Sequence, residues 1–334
     1  MNEPRVSLAQ GNGGRFMREL IQDVFVRHLA NDDLDTSLDS AVLDFPQDRL
    51  VFTTDGFTVQ PLEFPGGNIG SLAVHGTVND LAVAGARPLY LSLNAIIEEG
   101  LPLAQLERII ASLAAAAQEA GVRVVTGDTK VVPCGQGGGL YLVTTGIGIR
   151  MADIQPRPAL IQCGDAILIS GPVGDHGTAV MLAREQFGLE GDLASDSASV
   201  LPLTSALLQF DGLRFMRDPT RGGLACVVHD IVRSCRLGVA LDEWMIPVNG
   251  PVRSVCEMLG YDPLYLACEG RILAVIDAAQ AAAALECLRA LPGAAEAACI
   301  GTIIDSPPAV ILRTDIGGER MLQELEDDPL PRIC

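Results

Sequence analysis

Four short stretches set Asp or Asn among small residues: Thr53-Thr54-Asp55-Gly56, Gly76-Thr77-Val78-Asn79-Asp80, Thr126-Gly127-Asp128-Thr129-Lys130 and Asp218-Pro219-Thr220-Arg221-Gly222-Gly223. Their carboxylates are hard oxygen donors, which Mg²⁺ takes together with phosphate oxygens. Glycines at a helix start let backbone N–H groups come close to phosphate, and Gly222-Gly223 opens an amphipathic pattern. Gly11-Asn12-Gly13-Gly14 has the composition of a flexible cover. Taken singly, an Asp-Gly pair is an ordinary turn, and the pattern Gly-x-x-x-x-Gly-Lys-Ser/Thr does not occur. From the residues alone, a Mg-nucleotide site and a set of turns both stay open.

Other groups with reactive chemistry stand nearby in the sequence. Lys130 is the only lysine in the chain; it could bind phosphate, serve as a base if burial lowers its pKa, or be a surface residue. Glu269 directly precedes an apolar stretch, as a strand-entry charge or an acid/base. His28 and His229 fall in helical patterns and read as structural, whereas His75 and His176 flank glycines and could line a cleft. Cys334 is the last residue, on a segment stiffened by Pro329 and Pro331. A terminus is a poor place for a packing cysteine, so Cys334 is either a working thiol or an incidental one.

Alternating and helical patterns say what must hold these groups. Strands are expected at 49–54, running into Asp55-Gly56, and at 89–97, 141–149, 165–170 and 271–276. Helices are expected at 16–29, at 69–84, from Pro102 to Gly121 and at 224–235. Asp277 is placed to N-cap a further helix. Pro156-Arg157-Pro158 marks the best boundary, with strands and helices mixed on both sides. Clustered strands favour two α+β domains over a regular βαβ winding. The division is 1–37 for a glycine-rich N-terminal segment, 38–155 for an N-terminal domain, 156–316 for a C-terminal domain and 317–334 for a flexible tail, with Gly317-Gly318 as its hinge.

Composition limits the function. Among 334 residues, 23 basic against 42 acidic side chains leave a net charge of −19, which excludes coating nucleic acid or an anionic membrane. With 49% hydrophobic and only 4% aromatic residues, the core is built from Ala, Val, Leu and Ile. No run approaches the ~18 apolar residues of a membrane helix. Nine cysteines without a C-x-x-C pair make neither a disulfide scaffold nor a zinc ribbon. A reducing cytoplasm is the expected location.

The sequence resembles the HypE family of hydrogenase maturation proteins, carbamoyl dehydratases within the superfamily of aminoimidazole ribonucleotide synthetase and selenophosphate synthetase. The resemblance covers nearly the whole chain. It is carried by Gly11-Asn12-Gly13-Gly14-Arg15, Pro65-Gly66-Gly67-Asn68-Ile69-Gly70, Gly76-Thr77-Val78-Asn79-Asp80-Leu81-Ala82, Val125-Thr126-Gly127-Asp128-Thr129-Lys130-Val131-Val132, Gly174-Asp175-His176-Gly177, Thr220-Arg221-Gly222-Gly223 and, most specifically, the terminal Pro331-Arg332-Ile333-Cys334. Gly56, where many relatives have Ser, and His75 are small departures.

The resemblance implies a two-domain α+β fold: an N-terminal ATP-binding domain whose sheet pairs across a homodimer, and a C-terminal α/β sandwich. It implies ATP near Gly11, Gly13 and Gly14, with Mg²⁺ and phosphate held by Asp55, Asp80 and Asp128. Asn79 and Thr129 would stand beside them, and Asp218 would face the cleft. The implied reaction is ATP-dependent dehydration of a carbamoyl group on Cys334 to a thiocyanate, the source of the cyanide ligand of [NiFe]-hydrogenase. Lys130 or Glu269 would take the nitrogen's protons. The implied partners are the carbamoyltransferase HypF as donor and a HypC–HypD scaffold as acceptor. Rival readings are a small-molecule ATP enzyme with an incidental terminal cysteine and a non-catalytic acidic assembly module.

Overall fold

The computed structural model describes residues 4–11, 15–34, 49–151, 156–184, 193–314, 316–325 and 333. Gly13, Gly14 and Cys334 lie outside them. The expected run at 16–29 is helical, as α1 (Arg15–Leu20), a π turn over Ile21–Val26 and α2 (Arg27–Leu29). Leu20, Val24, Phe25 and Leu29 are its buried stripe.

The N-terminal half continues with β1 (Leu50–Phe57), the short pair β2 (Glu63–Phe64) and β3 (Gly67–Asn68), α3 (Ile69–Val83), β4 (Ala86–Glu98), α4 (Leu103–Ala120), β5 (Arg123–Val132) and β6 (Leu140–Arg150). The main sheet has the order β1-β6-β4-β5, with β4 and β5 parallel through α4 and the other neighbours antiparallel. Local chemistry fixes the helix ends. The Asn68 side chain accepts from the N–H groups of Gly70 and Ser71, and Ser71 returns a bond to the Asn68 N–H, a capping box. Gly121 ends α4 in the left-handed region at φ 69°. α3 is buried on nearly every side, as a helix apolar all round must be. Gly70 has no side chain because the Ile109 carbonyl of α4 occupies that place.

The C-terminal half runs β7 (Ala166–Ile169), α5 (Asp175–Arg184), α6 (Leu201–Leu207), β8 (Leu213–Arg217), α7 (Gly223–Cys235), β9 (Gly238–Asp242), α8 (Gly250–Leu259), β10 (Leu273–Ile276), α9 (Ala281–Arg289), β11 (Ala298–Ile304), β12 (Val310–Arg313) and β13 (Glu319–Met321). These strands form one seven-stranded sheet in the order β13-β12-β9-β11-β7-β10-β8, antiparallel except for β9 beside β12. Period-two alternation divides its residues between two cores. Ile167, Ile169, Leu273 and Val275 pack with Leu224, Val228 and Ile231 of α7. Ala166, Leu168, Ala274 and Ile276 pack with Leu203 and Leu207 of α6 and with Ala284 and Leu288 of α9. Helices therefore cover both faces, the sandwich expected for this half.

Two local expectations fail. Asp277 does not cap α9, which starts four residues on after Gln280. Its carboxylate instead accepts the Ala279 N–H in the preceding turn and an N–H of Arg214 at 3.2 Å. Gly317-Gly318 is the turn of the β12–β13 hairpin rather than a hinge. There the Gly317 N–H donates to the Thr314 carbonyl, and the Gly318 N–H to Thr314 Oγ1. Residues 319–321 thus belong to the sheet edge.

Candidate active site

The cleft lies between the two halves of the chain. β1 brings Asp55 and Phe57, and α3 brings Gly76 and Asp80. The loop from β8 to α7 brings Asp218, Thr220 and Arg221, and the segment before β10 brings Glu269. Together they enclose a recess of about 80 Å³. Gly76 is obligatory here because a Cβ would stand 2.7 Å from the Phe57 ring. Gly222 and Gly223 take left-handed conformations at φ 76° and 60°, which turn the chain so that α7 starts beside the cleft.

Glu269 is held by its backbone and left open at its side chain. Its N–H and that of Gly270 donate to the Asp196 carboxylate at 3.1 and 3.3 Å. Its carbonyl accepts from Asn79 Nδ2 at 3.1 Å. Glu269 Oε1 is buried and has no hydrogen-bond partner among the described residues. An orphaned carboxylate oxygen carries a desolvation penalty, so it marks a place meant for a proton or a cation.

The electrostatics agree. Burial, then the neighbouring Asp218, Asp196 and Asp55, push the Glu269 carboxyl well above the ordinary range, with Arg221 opposing. Burial and the charges of Asp80 and Asp55 push Asp218 up to about 7. Asp55 is raised by burial against the Gly56 N–H and Arg221. Asp80 is raised by burial against a hydrogen bond from Thr53 Oγ1 at 2.8 Å. Four carboxyls thus share one recess, each disfavoured as an anion, and a divalent cation would relieve all four. Among the described residues no three such groups converge tightly enough to cage an ion alone. That suits Mg²⁺, which keeps waters and takes phosphate oxygens.

The other expected site residues lie elsewhere. Asp128 and Lys130 sit on β5, exposed and ion-paired to each other at 3.0 Å, at the opposite edge of the sheet from β1. Three strand spacings, about 14 Å, separate those edges. Thr129 is buried on the same strand. Asn79 is in the right place, but its side chain is already committed. It donates to the carbonyls of Ala198 and Glu269 and accepts the Val200 N–H, so it frames the site. Gly11 ends a short 3₁₀ turn over Leu8–Gly11. Cys334 lies outside the described residues, but Ile333 is only 4% exposed, against Gly177, whose added Cβ would also meet Leu266 and Ala267. Ile333 therefore packs at Gly177, beside the segment Leu266-Ala267 that leads to Glu269. Asp196 is the site residue that sequence reasoning missed, because Leu193-Ala194-Ser195-Asp196-Ser197-Ala198 has the look of a solvated loop.

The family model of AIR synthase related proteins matches over both of its parts, the N-terminal domain at residues 37–150 and the C-terminal domain at residues 162–313. A relative from Azotobacter vinelandii, carbamoyl dehydratase HypE, is 48% identical over 98% of this chain and 97% of its own length. The chain belongs to the HypE family of carbamoyl dehydratases. A crystal structure of a HypE protein in complex with ATP superposes with TM-score 0.94 at 45% identity, covering 98% of this chain and 99% of that one. A HypE from a crystallised HypE–HypF complex superposes with TM-score 0.80 at 40% identity, covering 93% of this chain and 99% of that one.

Proposed function

We propose that this chain dehydrates a carbamoyl group carried on its own Cys334 to a thiocyanate, using ATP with Mg²⁺, and so supplies the cyanide ligand for [NiFe]-hydrogenase maturation. The observation that carries the reading is the buried, unpartnered oxygen of Glu269 in a four-carboxyl recess, with Ile333 seated nearby. Asp55, Asp80 and Asp218 would hold the cation. When bound, Mg-ATP supplies the phosphoryl group that turns the amide oxygen, a very poor leaving group, into phosphate.

The chain's own residues handle the protons and the geometry. Converting S–CO–NH₂ to S–C≡N removes the oxygen to phosphate and two protons from nitrogen. Glu269 is placed to accept one of these, since burial makes its carboxylate a strong base once ionised. Asp196 and Asn79 hold the Glu269 backbone, which fixes where its side chain enters the recess. The start of α7 adds backbone N–H groups for anionic phosphate.

The homodimer belongs to this reading. β1 and β5 are the two outer strands of the four-stranded sheet among the described residues, and Leu50 and Phe52 are 56% and 62% exposed. Joining β1 of one copy to β5 of another would close the sheets into a barrel and cover that apolar surface. It would also carry Asp128, Thr129 and Lys130 of the second copy toward the first copy's recess, which one chain alone cannot do. HypF as carbamoyl donor and a HypC–HypD scaffold as acceptor complete the sequence. A cytoplasmic location fits cysteines that are all free among the described residues.

The test is intact mass. The carbamoylated chain loses ~18 Da on adding Mg-ATP, one water's worth, with ADP and phosphate released. A Cys334→Ala chain that still turned over ATP in a carbamoyl-dependent manner would end the tethered-substrate reading.

A further inference from the structure

His176 is fully buried, at the start of α5, and lies outside the carboxylate recess. Its Nε2 stands 2.7 Å from the Ile333 carbonyl oxygen, one residue before Cys334. Its Nδ1 stands 2.8 Å from Ser195 Oγ. The ring also meets Phe64 edge-on, with centroids 5.4 Å apart. A carbonyl only accepts, so Nε2 carries the hydrogen. Burial disfavours the imidazolium, so Nδ1 is bare and accepts from the Ser195 hydroxyl.

The chain of contacts continues from there to the recess. Ser195 Oγ accepts the Ser197 N–H at 3.0 Å, and the Ser195 N–H donates to the Pro65 carbonyl at 2.8 Å. Ser197 Oγ meets His75 Nδ1 at 3.0 Å. Between the two serines, Asp196 accepts the N–H groups of Glu269 and Gly270 and faces Arg271 at 3.4 Å. One segment, Ser195-Asp196-Ser197, therefore touches the histidine that holds Ile333 on one side and the Glu269 backbone on the other.

We propose that His176 is a positioning residue for the reaction. It fixes the Ile333 carbonyl that precedes Cys334 and, through the Ser195–Ser197 segment, sets Ile333 in register with Glu269. This rests on the reading of Cys334 as the carrier of the carbamoyl group. It also gives Ile333 a function: its side chain is the apolar anchor and its carbonyl is the polar one.

The experiment uses the full-length chain with His176→Ala, His176→Gln and Ile333→Gly. One readout is the alkylation rate of Cys334 by iodoacetamide, followed on the C-terminal peptide. The second is single-turnover mass loss from the carbamoylated chain at saturating Mg-ATP. The third is the affinity for Mg-ATP. For His176→Ala, alkylation is expected to rise and dehydration to fall by about three- to tenfold each, the worth of one buried hydrogen bond, with nucleotide affinity unchanged. His176→Gln, whose amide N–H can reach the same carbonyl, is expected to restore most of both. Unchanged alkylation and dehydration in His176→Ala would overturn the proposal, as would a parallel loss of nucleotide binding. Should His176→Ala not fold, Ile333→Gly carries the same two expectations from the tail's side. Alkylation needs no turnover, so it decides the seat even if the wild-type chain showed no dehydration, an outcome that would instead refute the proposed function.

Discussion

Replacing Asp218 by Asn should stabilise the ligand-free chain at pH 8 while weakening its response to Mg-ATP. Asp218 is 8% exposed and shares its recess with Asp80 and Asp55. Burial and those two charges raise its carboxyl from the ordinary 3.8 to about 7. For an acid with a raised folded-state pKa, the native chain binds the proton more tightly than the unfolded chain between those two values. Stability therefore falls as pH climbs through that window. At ~1.36 kcal/mol per pKa unit, the ionised side chain costs about 4 kcal/mol above pH 7. An amide of the same shape carries no charge and removes that slope. The assay is urea unfolding of wild type and Asp218→Asn at pH 4, 5, 6, 7 and 8, without nucleotide. The two curves should nearly meet at pH 4 and separate by up to about 4 kcal/mol at pH 8, the variant being the more stable. Adding Mg-ATP should then stabilise wild type and do little for the variant. Parallel curves across the whole range, or a variant less stable at pH 8, would refute the claim that repulsion and burial at Asp218 oppose folding.

Other outcomes follow from particular contacts. Asn79→Ala strips partners from the buried Glu269 carbonyl, the buried Val200 N–H and the more exposed Ala198 carbonyl, and should lower stability by about 2–3 kcal/mol at roughly 1 kcal/mol per bond, read by urea midpoint, with dehydration falling as well. His75, held near pKa 4 by burial, is neutral when folded, so acid favours the unfolded chain. Stability should drop as pH falls from 6.5 toward 4, by about 3 kcal/mol from this group, and His75→Gln should flatten that part of the curve. Phe52→Asp on the exposed β1 edge should yield monomers in sedimentation, and the monomers should dehydrate slowly because Asp128 and Lys130 of a second copy are withheld. Gly76→Ala drives a methyl into the Phe57 ring and should cost about 1–3 kcal/mol, together with most of the activity.

Much was legible before any coordinates. The strands at 49–54, 89–97, 141–149 and 271–276 and the helices at 69–84 and 102–121 announce themselves by period and by end residues, because capping and alternation are local effects. Asp55, Asp80, Asp218 and Glu269 stood out for the same reason: small residues around a carboxylate at an element's end leave a characteristic string. Failures came where a polar or glycine residue had more than one structural use open to it. Asp277 looked like a cap, but its distant neighbour Arg214 and the turn at Ala279 claim its carboxylate. Gly317-Gly318 looked like a hinge, but Thr314 closes a turn there and β12 supplies a partner strand.

The sequence by itself determined the element types, the acidic non-nucleic-acid character and the family, since these depend on residue identity and short spacing. Only the tertiary structure decided which motifs meet. It separated Asp128 and Lys130 from Asp55 by the width of a sheet, spent Asn79 on backbone groups, recruited Asp196 from a stretch with no visible signal, and gave His176, a cleft candidate by its glycine neighbours, its contact with Ile333. The physical reason is that hydrogen bonds and desolvation act over a few ångströms in space, whatever the distance along the chain. Asn79 and Glu269 are 190 residues apart, and no local pattern encodes their contact.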